Sequence, residues 1–504
     1  VKAEKPSVFV REATGLVRNV SFVEAVSLTL IWMSVVPALG NLGYSTVLLP
    51  TTVGANLVVA SAISALLVIP QNIVYTILTR RIPRTGGDYV WLSRQIPPLV
   101  ATALSFAGMT AETIPYIALI ALSTISAATS AAALLGMAGA SVVNVPTYAE
   151  AVLACFIIAL FVGVNTLSPK AGYRIVTALW IVGLAGIVTG IATLLFAGRA
   201  GIVNYMNSLA PGIDYEGVAR TYQGPVFSWQ STLSLLPFFA LFTYPWFQAA
   251  PAVGSELRGR ALKWTVPTGL ATAFILVTAP LAAMYYVGGY GFINSALHDS
   301  TLVFQYSFGF WTLAMGVSQN TIMRWILAAA WVSGSLGVVA FGVILVSRYI
   351  LAQSFDRFLP ASLSHVSSRL GTPVNANLVI LAVGSVLAVL SSYMYGTFVS
   401  LYGVLVGAMV YFVAIGVAAA RLGSKLAGTE GKWLVAAGTA QAAVFVYLAY
   451  AFVVNAQVWG GNPLAYGYEI VAFLMGVLFY VYSKKRNAAR GVDITLAFRE
   501  IPPE

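Results

Sequence analysis

The sequence predicts an all-α polytopic membrane protein with twelve transmembrane helices, and three observations carry that prediction. Of 504 residues, 59% are hydrophobic and only 9% are charged, against about a quarter charged in an ordinary soluble domain. Twelve apolar stretches reach or approach the ~20 residues needed to cross the hydrocarbon core. The basic residues fall in alternate connections, so 24 of the 27 Lys and Arg lie on one predicted face.

In chain order the spans are read at 20–46, 54–79, 98–126, 148–168, 173–197, 231–256, 265–287, 324–348, 374–391, 395–420, 433–454 and 467–483. With the N-terminus inside, the inner segments carry Lys2, Lys5, Arg11 and Arg18, then Arg80, Arg81, Arg84 and Arg94, then Lys170 and Arg174. Arg258, Arg260 and Lys263 follow, then Arg348, Arg357 and Arg369, then Arg421, Lys425 and Lys432, and last Lys484, Lys485, Arg486, Arg490 and Arg499. Only Arg199, Arg220 and Arg324 fall outside. Such a bias places both termini in the cytoplasm of a multi-pass protein of the cell membrane. The net charge of +11 then reflects topology and attraction to anionic membrane lipids, and points to no nucleic acid.

The first twenty residues, VKAEKPSVFVREATGLVRNV, lack an apolar core followed by a small-residue cleavage site and do not read as a signal peptide. Cys155 is the single cysteine and reads as a core residue of the fourth span. His298 and His365 lie far apart in loops, so no His/Cys metal set and no Cys/His nucleophilic pair is expected. No cofactor is expected either.

With charge scarce, interruptions of the helices are informative. The first span, SLTLIWMSVVPALGNLGYSTVLLP, holds Pro37, Gly40 and Gly43 near its middle. The sixth, LLPFFALFTYPWFQAAPAVGSELRG, holds Pro237, Pro245 and Pro251. Proline removes an amide donor and crowds the preceding turn. Unsatisfied backbone groups survive in hydrocarbon only against protein or a polar cavity. Breaks at corresponding positions of two five-span halves are a pointer to a transport site at a repeat interface. The expected organisation is therefore a cytoplasmic segment 1–19, a first repeat 20–197, an extracellular loop 198–230 and a second, inverted repeat 231–420. Two further helices within 421–483 and a cytoplasmic tail 484–504 complete it.

Three motifs on the predicted inner face then carry a resemblance: RIPRTGGDYVWLSR at 81–94, VGSELRGRALKWTVP after the sixth span, and SRYILAQSFDRFLPASLSHVSSRLGTPVNA at 347–376. Over roughly residues 12–420 the chain resembles the amino acid–polyamine–organocation transporters, whose members have a five-plus-five inverted repeat of the kind called LeuT-like. Glu256 stands at the family's usual acidic position. The resemblance implies a permease that moves an amino acid or related amine by alternating access. Two departures fall where substrate is recognised. The glycine-rich motif at the first break is replaced by Ser34-Val35-Val36-Pro37-Ala38-Leu39-Gly40, and the glycine before an aromatic in the sixth span is replaced by Trp246.

Candidate substrate-binding residues are Met33, Ser34, Val36 and Pro37 at the first break, through their main-chain groups, and Phe242, Thr243, Tyr244 and Trp246 at the second. Aromatic rings there either stack over a ligand or simply fill space. Glu112, in GMTAETIPYIALI three residues before Pro115, is the one mid-span carboxylate. Such a group is expensive unless paired, protonated or wet, so it is read as a proton-coupling group or the partner of a substrate amine, with a locally bonded structural carboxylate as the alternative. Ser333 and Ser335 in AAAWVSGSLGVVAFG are the candidates for a co-transported sodium ion, or equally for close helix packing. The fifth span holds no internal lysine, so the lysine that replaces the ion in some proton-coupled relatives is absent. Glu24, Glu150 and Glu469 lie near predicted span ends and receive little functional weight. Residues 198–230 could lid the outer vestibule, 288–323 are expected to include a surface helix or an extra hydrophobic segment, and Asp88 and Asp356 are candidates for charge pairs at an inner gate. Ion-coupled uptake, amino acid or polyamine exchange, and a receptor built on a transporter fold all remain open, whereas a membrane enzyme would need clustered His, Asp or Glu. Ten spans around one axis can serve a monomer, so no oligomeric state follows.

Overall fold

A computed structural model describes residues 16, 18–48, 53–137, 145–394, 405–455 and 463–501. In hydrocarbon every backbone amide must find its partner within the segment, which drives long apolar stretches into helix. Among the described residues ten helices are long and apolar enough to cross a membrane: Phe22–Gly40, Pro98–Leu134, Thr147–Leu167, Pro169–Leu209, Arg260–Gly288, Thr321–Phe355, Val374–Tyr393, Leu405–Gly423, Thr429–Val454 and Pro463–Ala488. Leu57–Leu67 and Ile69–Arg81, bent by 41° at Val68, make an eleventh if they are one span. Burial orders them. Thr321–Phe355 and Phe22–Gly40 are 83% and 78% buried over their most apolar windows, and Thr147–Leu167 and Pro463–Ala488 only 28%. The first two are therefore central and the last two present much of their surface to lipid.

The sixth predicted span is not continuous. Short helices Trp229–Ser234 and Leu236–Ala240 lead in, residues 241–248 are non-helical, and Ala249–Ala252 with a 3-10 turn at Gly254–Glu256 leads out. The predicted span 173–197 runs further, as Pro169–Leu209, with Gly198 out of helical geometry at φ 59°. Residues 199–209 are therefore helix, where a loop was expected. The first ten residues of the span expected at 395–420 lie outside the described residues. In the long connection 288–323, helices Tyr290–His298, Ser300–Tyr306 and Phe310–Val317 form. The last is no surface helix: Phe310, Trp311, Leu313, Ala314 and Met315 are fully buried, and Trp311 Nε1 donates to the Val36 carbonyl at 3.0 Å.

The first break lies earlier than the prolines and glycines suggest. Phe22–Trp32 is capped by Ser21 and Glu24, each side chain bonding the other's backbone amide, which accounts for Glu24. It ends at Met33, and Ser34 takes φ 53° before a second helix, Val35–Leu48, begins. Pro37 is third in that second helix, inside the first turn where a missing amide has no helical partner to lose. Proline thus starts the second piece and does not kink a continuous one. Gly40 gives the central helix room, since a Cβ there would sit 2.7 Å from Trp331 Nε1.

The positively charged segments meet at one end of the bundle. Arg80 and Arg81 pair with Glu430, Lys425 donates to Gln95 at 3.0 Å, and Arg94 holds Asp356 by two bonds of 2.6 and 2.9 Å. Arg94 also donates to the carbonyls of Ala497 and Glu500. Arg348, fully buried in the central helix, holds Glu256 at 2.7 Å. The Glu256 carbonyl accepts from the amides of Asn19 and Val20, tying the broken segment to the start of the first helix. Asp356 thus joins an arginine, whereas among the described residues Asp88 joins none: Tyr75 donates to it at 2.8 Å and Tyr349 at 2.5 Å. Burial pushes the Asp88 carboxyl up to about 6, against the opposing pull of those hydroxyls. At the other end Tyr290, Asn294 and Tyr285 converge on the Ala55 carbonyl, and Tyr222 bonds the Gly54 amide.

Candidate functional site

Glu112 sits where the third span departs twice from regular helix. Residues Phe106–Ala111 form a π-helical turn, an irregularity that re-aims the side chains after it and is frequent at functional sites. Three residues beyond Glu112, Pro115 has no amide to give the carbonyl one turn back, that of Ala111. Tyr468, from Pro463–Ala488, donates its hydroxyl to that carbonyl at 2.5 Å. Glu112 itself is 2% exposed. Thr113 Oγ1 donates to its Oε2 at 3.3 Å, and among the described residues it has no ion-pair partner.

Glu112 faces a small cavity of about 10 Å³ lined by Trp32, Tyr116, Phe242, Trp246 and Leu405. Both helix breaks contribute to its lining. Trp32 ends the first half-helix and meets Trp246, from the second break, edge to face at 6.3 Å. Tyr116 is edge-on to Trp32 at 5.8 Å, and its hydroxyl bonds that of Ser34 at 3.0 Å. Trp246, standing where a glycine was expected, donates Nε1 to the Leu241 carbonyl at 2.7 Å and so satisfies a backbone group freed by the break. The indole nitrogen of Trp32 and the hydroxyl of Thr243 are buried with no hydrogen-bond partner among the described residues.

Of the candidates, Glu112, Phe242 and Trp246 come together around this cavity, and Ser34 reaches it through Tyr116. Met33 is fully buried at the break. Val36 points away, packing on Gly183 and Gly334. Pro37 follows it toward Gly334. Tyr244 also turns outward, bonding Ser61 at 2.5 Å. Ser333 and Ser335 flank Gly334, close to the first break but outside the cavity lining. The Ser333 hydroxyl donates to the Ala330 carbonyl of its own helix at 2.8 Å. No group of three or more His, Cys, Asp or Glu able to hold a metal occurs among the described residues.

The sequence model described as amino acid permease matches residues 23–479, nine-tenths of the chain. The chain belongs to the amino acid permease family. That places it in the amino acid–polyamine–organocation superfamily, as a transporter of amino acids and not an enzyme. No curated protein matches it significantly. The permease motif that departs most, at the first break, is also the one whose geometry sequence reasoning misplaced.

Trp32, Tyr116 and Leu405 line the permease's cavity without having been singled out. Tyr116 was accessible to reasoning, because it stands four residues after Glu112 and so on the same helix face. Trp32 is one residue before the candidate Met33, and the misplaced break hid it. Leu405 carries no local signal, since it reaches the cavity only through packing of the Leu405–Gly423 helix.

Proposed function

We propose that this permease is a secondary active transporter that takes up amino acids across the cell membrane by alternating access, driven by a coupled ion. Its topology is then twelve spans with residues 229–256 as a broken sixth, an inverted five-plus-five repeat, and both termini cytoplasmic. The small cavity between the two broken segments, with one carboxylate in its wall, is the observation that carries this reading. The first amides of the Val35–Leu48 helix lie at a half-helix N-terminus, which suits a substrate carboxylate. The rings of Trp32, Tyr116, Phe242 and Trp246 suit an apolar or cationic side chain. At about 10 Å³ the space holds no more than about one water, so entry of an amino acid requires the rings around it to part.

Glu112, the carboxylate in the cavity wall, favours a proton as the coupled ion. Uptake of a labelled amino acid mixture into proteoliposomes under separate proton and sodium gradients tests this. The expected result is accumulation under the proton gradient that is lost in E112Q and kept in S333A/S335A. Accumulation under sodium alone, lost in S333A/S335A, would overturn the proton assignment. Counterflow without accumulation under either gradient would make the protein an exchanger.

A further inference from the structure

The segment after the helix Pro463–Ala488 has no part in the transport reading, yet it is folded onto the bundle. The helix ends in a turn where Gly491 takes φ 75°, a left-handed conformation that glycine enters without a Cβ clash. The amides of Gly491 and Val492 bond the carbonyls of Ala488 and Asn487, which fixes the turn. Asp493 then caps a 3-10 turn, Ile494–Phe498, its carboxylate accepting from the Thr495 amide at 2.9 Å and the Thr495 hydroxyl at 2.7 Å. Ile494, Ala497 and Phe498 are buried at 1%, 1% and 5% exposure, and the Phe498 ring meets that of Tyr480 at 6.2 Å. A solvated tail would leave those side chains in water.

The tail docks on Arg94. That arginine follows the buried helix Gly87–Ser93 and pairs with Asp356, the residue that closes the central helix Thr321–Phe355. A guanidinium carries five N–H donors, and here each has an acceptor. Nη1 donates to Ser93 Oγ and to Asp356 Oδ2, both at 2.6 Å. Nη2 donates to Asp356 Oδ1 at 2.9 Å and to the Ala497 carbonyl at 3.2 Å, and Nε donates to the Glu500 carbonyl at 3.2 Å. Two of the five acceptors therefore come from the tail. Arg94 Cζ also lies 5.7 Å from the centre of the Phe498 ring, within cation–π range. With the tail in place the two charged side chains are 6% and 1% exposed. An ion pair open to water holds little, whereas one kept dry and fully hydrogen-bonded resists separation.

We propose that residues 493–500 are an intramolecular clasp, which holds the helix Gly87–Ser93 to the end of the central helix and so slows opening of this side of the permease. Parting those two segments breaks the Arg94–Asp356 pair. With the tail docked, the same movement also strips two carbonyls and an aromatic ring from the guanidinium. No residue of the tail lines the cavity, so the clasp acts on rate and leaves substrate recognition alone. Its action as a brake rests on the transport reading, whereas the docking itself does not.

Maleimide labelling of A497C, in the full Cys155→Ala chain in detergent and without substrate, tests the docking. A497C is expected to label at least tenfold more slowly than A489C, whose position is exposed, and adding F498A is expected to bring the two rates within threefold. In proteoliposomes F498A is expected to raise the initial rate of counterflow at least threefold, with the half-maximal substrate concentration moving less than twofold. Removal of residues 493–504 is expected to do the same without altering a packed side chain in place. Labelling of A497C as fast as A489C would overturn the docking. Counterflow that is unchanged or slower in both variants would overturn the brake. Wild-type protein that neither accumulates nor exchanges amino acids would refute the transport reading alone, because the labelling is read without transport.

Discussion

Replacing Glu256 by glutamine keeps the shape of the side chain, removes its charge, and leaves Arg348 in place. In the native protein Glu256 Oε1 accepts from Arg348 Nε at 2.7 Å and Oε2 from Nη2 at 3.2 Å, with the two side chains 3% and 0% exposed. After the change the guanidinium keeps only neutral partners, among them Ser347 Oγ and Tyr173 OH, each at 3.2 Å. Removing one member of a buried ion pair costs about 3–5 kcal/mol, because the other charge stays buried and uncompensated. Removing both charges avoids that penalty, so E256Q/R348M is expected within about 1–2 kcal/mol of the wild type. Unfolding in detergent can be followed with a thiol-reactive fluorophore at Cys155, the single cysteine, which is partly buried with Sγ 3.6 Å from the Ser385 carbonyl. A loss below about 1 kcal/mol in E256Q, or one that simply adds to the loss in R348M, would show that the pair is solvated and uncoupled.

Three further outcomes follow from the geometry. Folding raises the Asp88 carboxyl from 3.8 to about 6, so the folded state holds the proton more tightly. Stability from this group is therefore full below about pH 4, falls by up to about 3 kcal/mol as pH rises to about 6, and is level above; D88N should flatten that slope in thermal midpoints measured from pH 4 to 8. Y468F strips the donor from the Ala111 carbonyl and should cost about 1 kcal/mol, yet almost nothing in a P115A background, where the restored amide serves that carbonyl; equal losses in both backgrounds would refute the pairing. G40A places a Cβ 2.7 Å from the Trp331 indole nitrogen and should destabilise by about 1–3 kcal/mol through overpacking, read by the same Cys155 assay.

The membrane class and most span positions were legible because the bilayer imposes them: length, hydropathy and Lys/Arg placement answer to the solvent more than to partners. The basic residues Arg94, Lys425 and Arg348 find partners from segments distant in sequence, contacts that spacing alone does not reveal. The breaks were legible as a pair but not in detail. Pro37 drew attention to the first break, though a proline in the opening turn of a helix marks where that helix starts. The turn itself is made by Ser34, a residue type with no such signature. Trp246 was recognised as a departure, while its function of satisfying the Leu241 carbonyl is a matter of rotamer and packing. Glu112 could be singled out by depth alone. Glu469 could not, because its burial comes from how the last helix docks on the π turn. The buried helix at Phe310–Val317 was hidden for the same reason: a short apolar segment reads alike on a surface and in a vestibule.

The central claim is that the cavity between the two breaks holds the transported amino acid. A cysteine at Phe242, in the cavity wall, introduced into a Cys155→Ala chain, makes that claim measurable through the rate of maleimide labelling with and without substrate. The account predicts that the amino acid supporting counterflow slows labelling of F242C, with a half-maximal concentration matching that of counterflow. Counterflow that persists while labelling is indifferent to the same amino acid would place the substrate elsewhere and contradict the account.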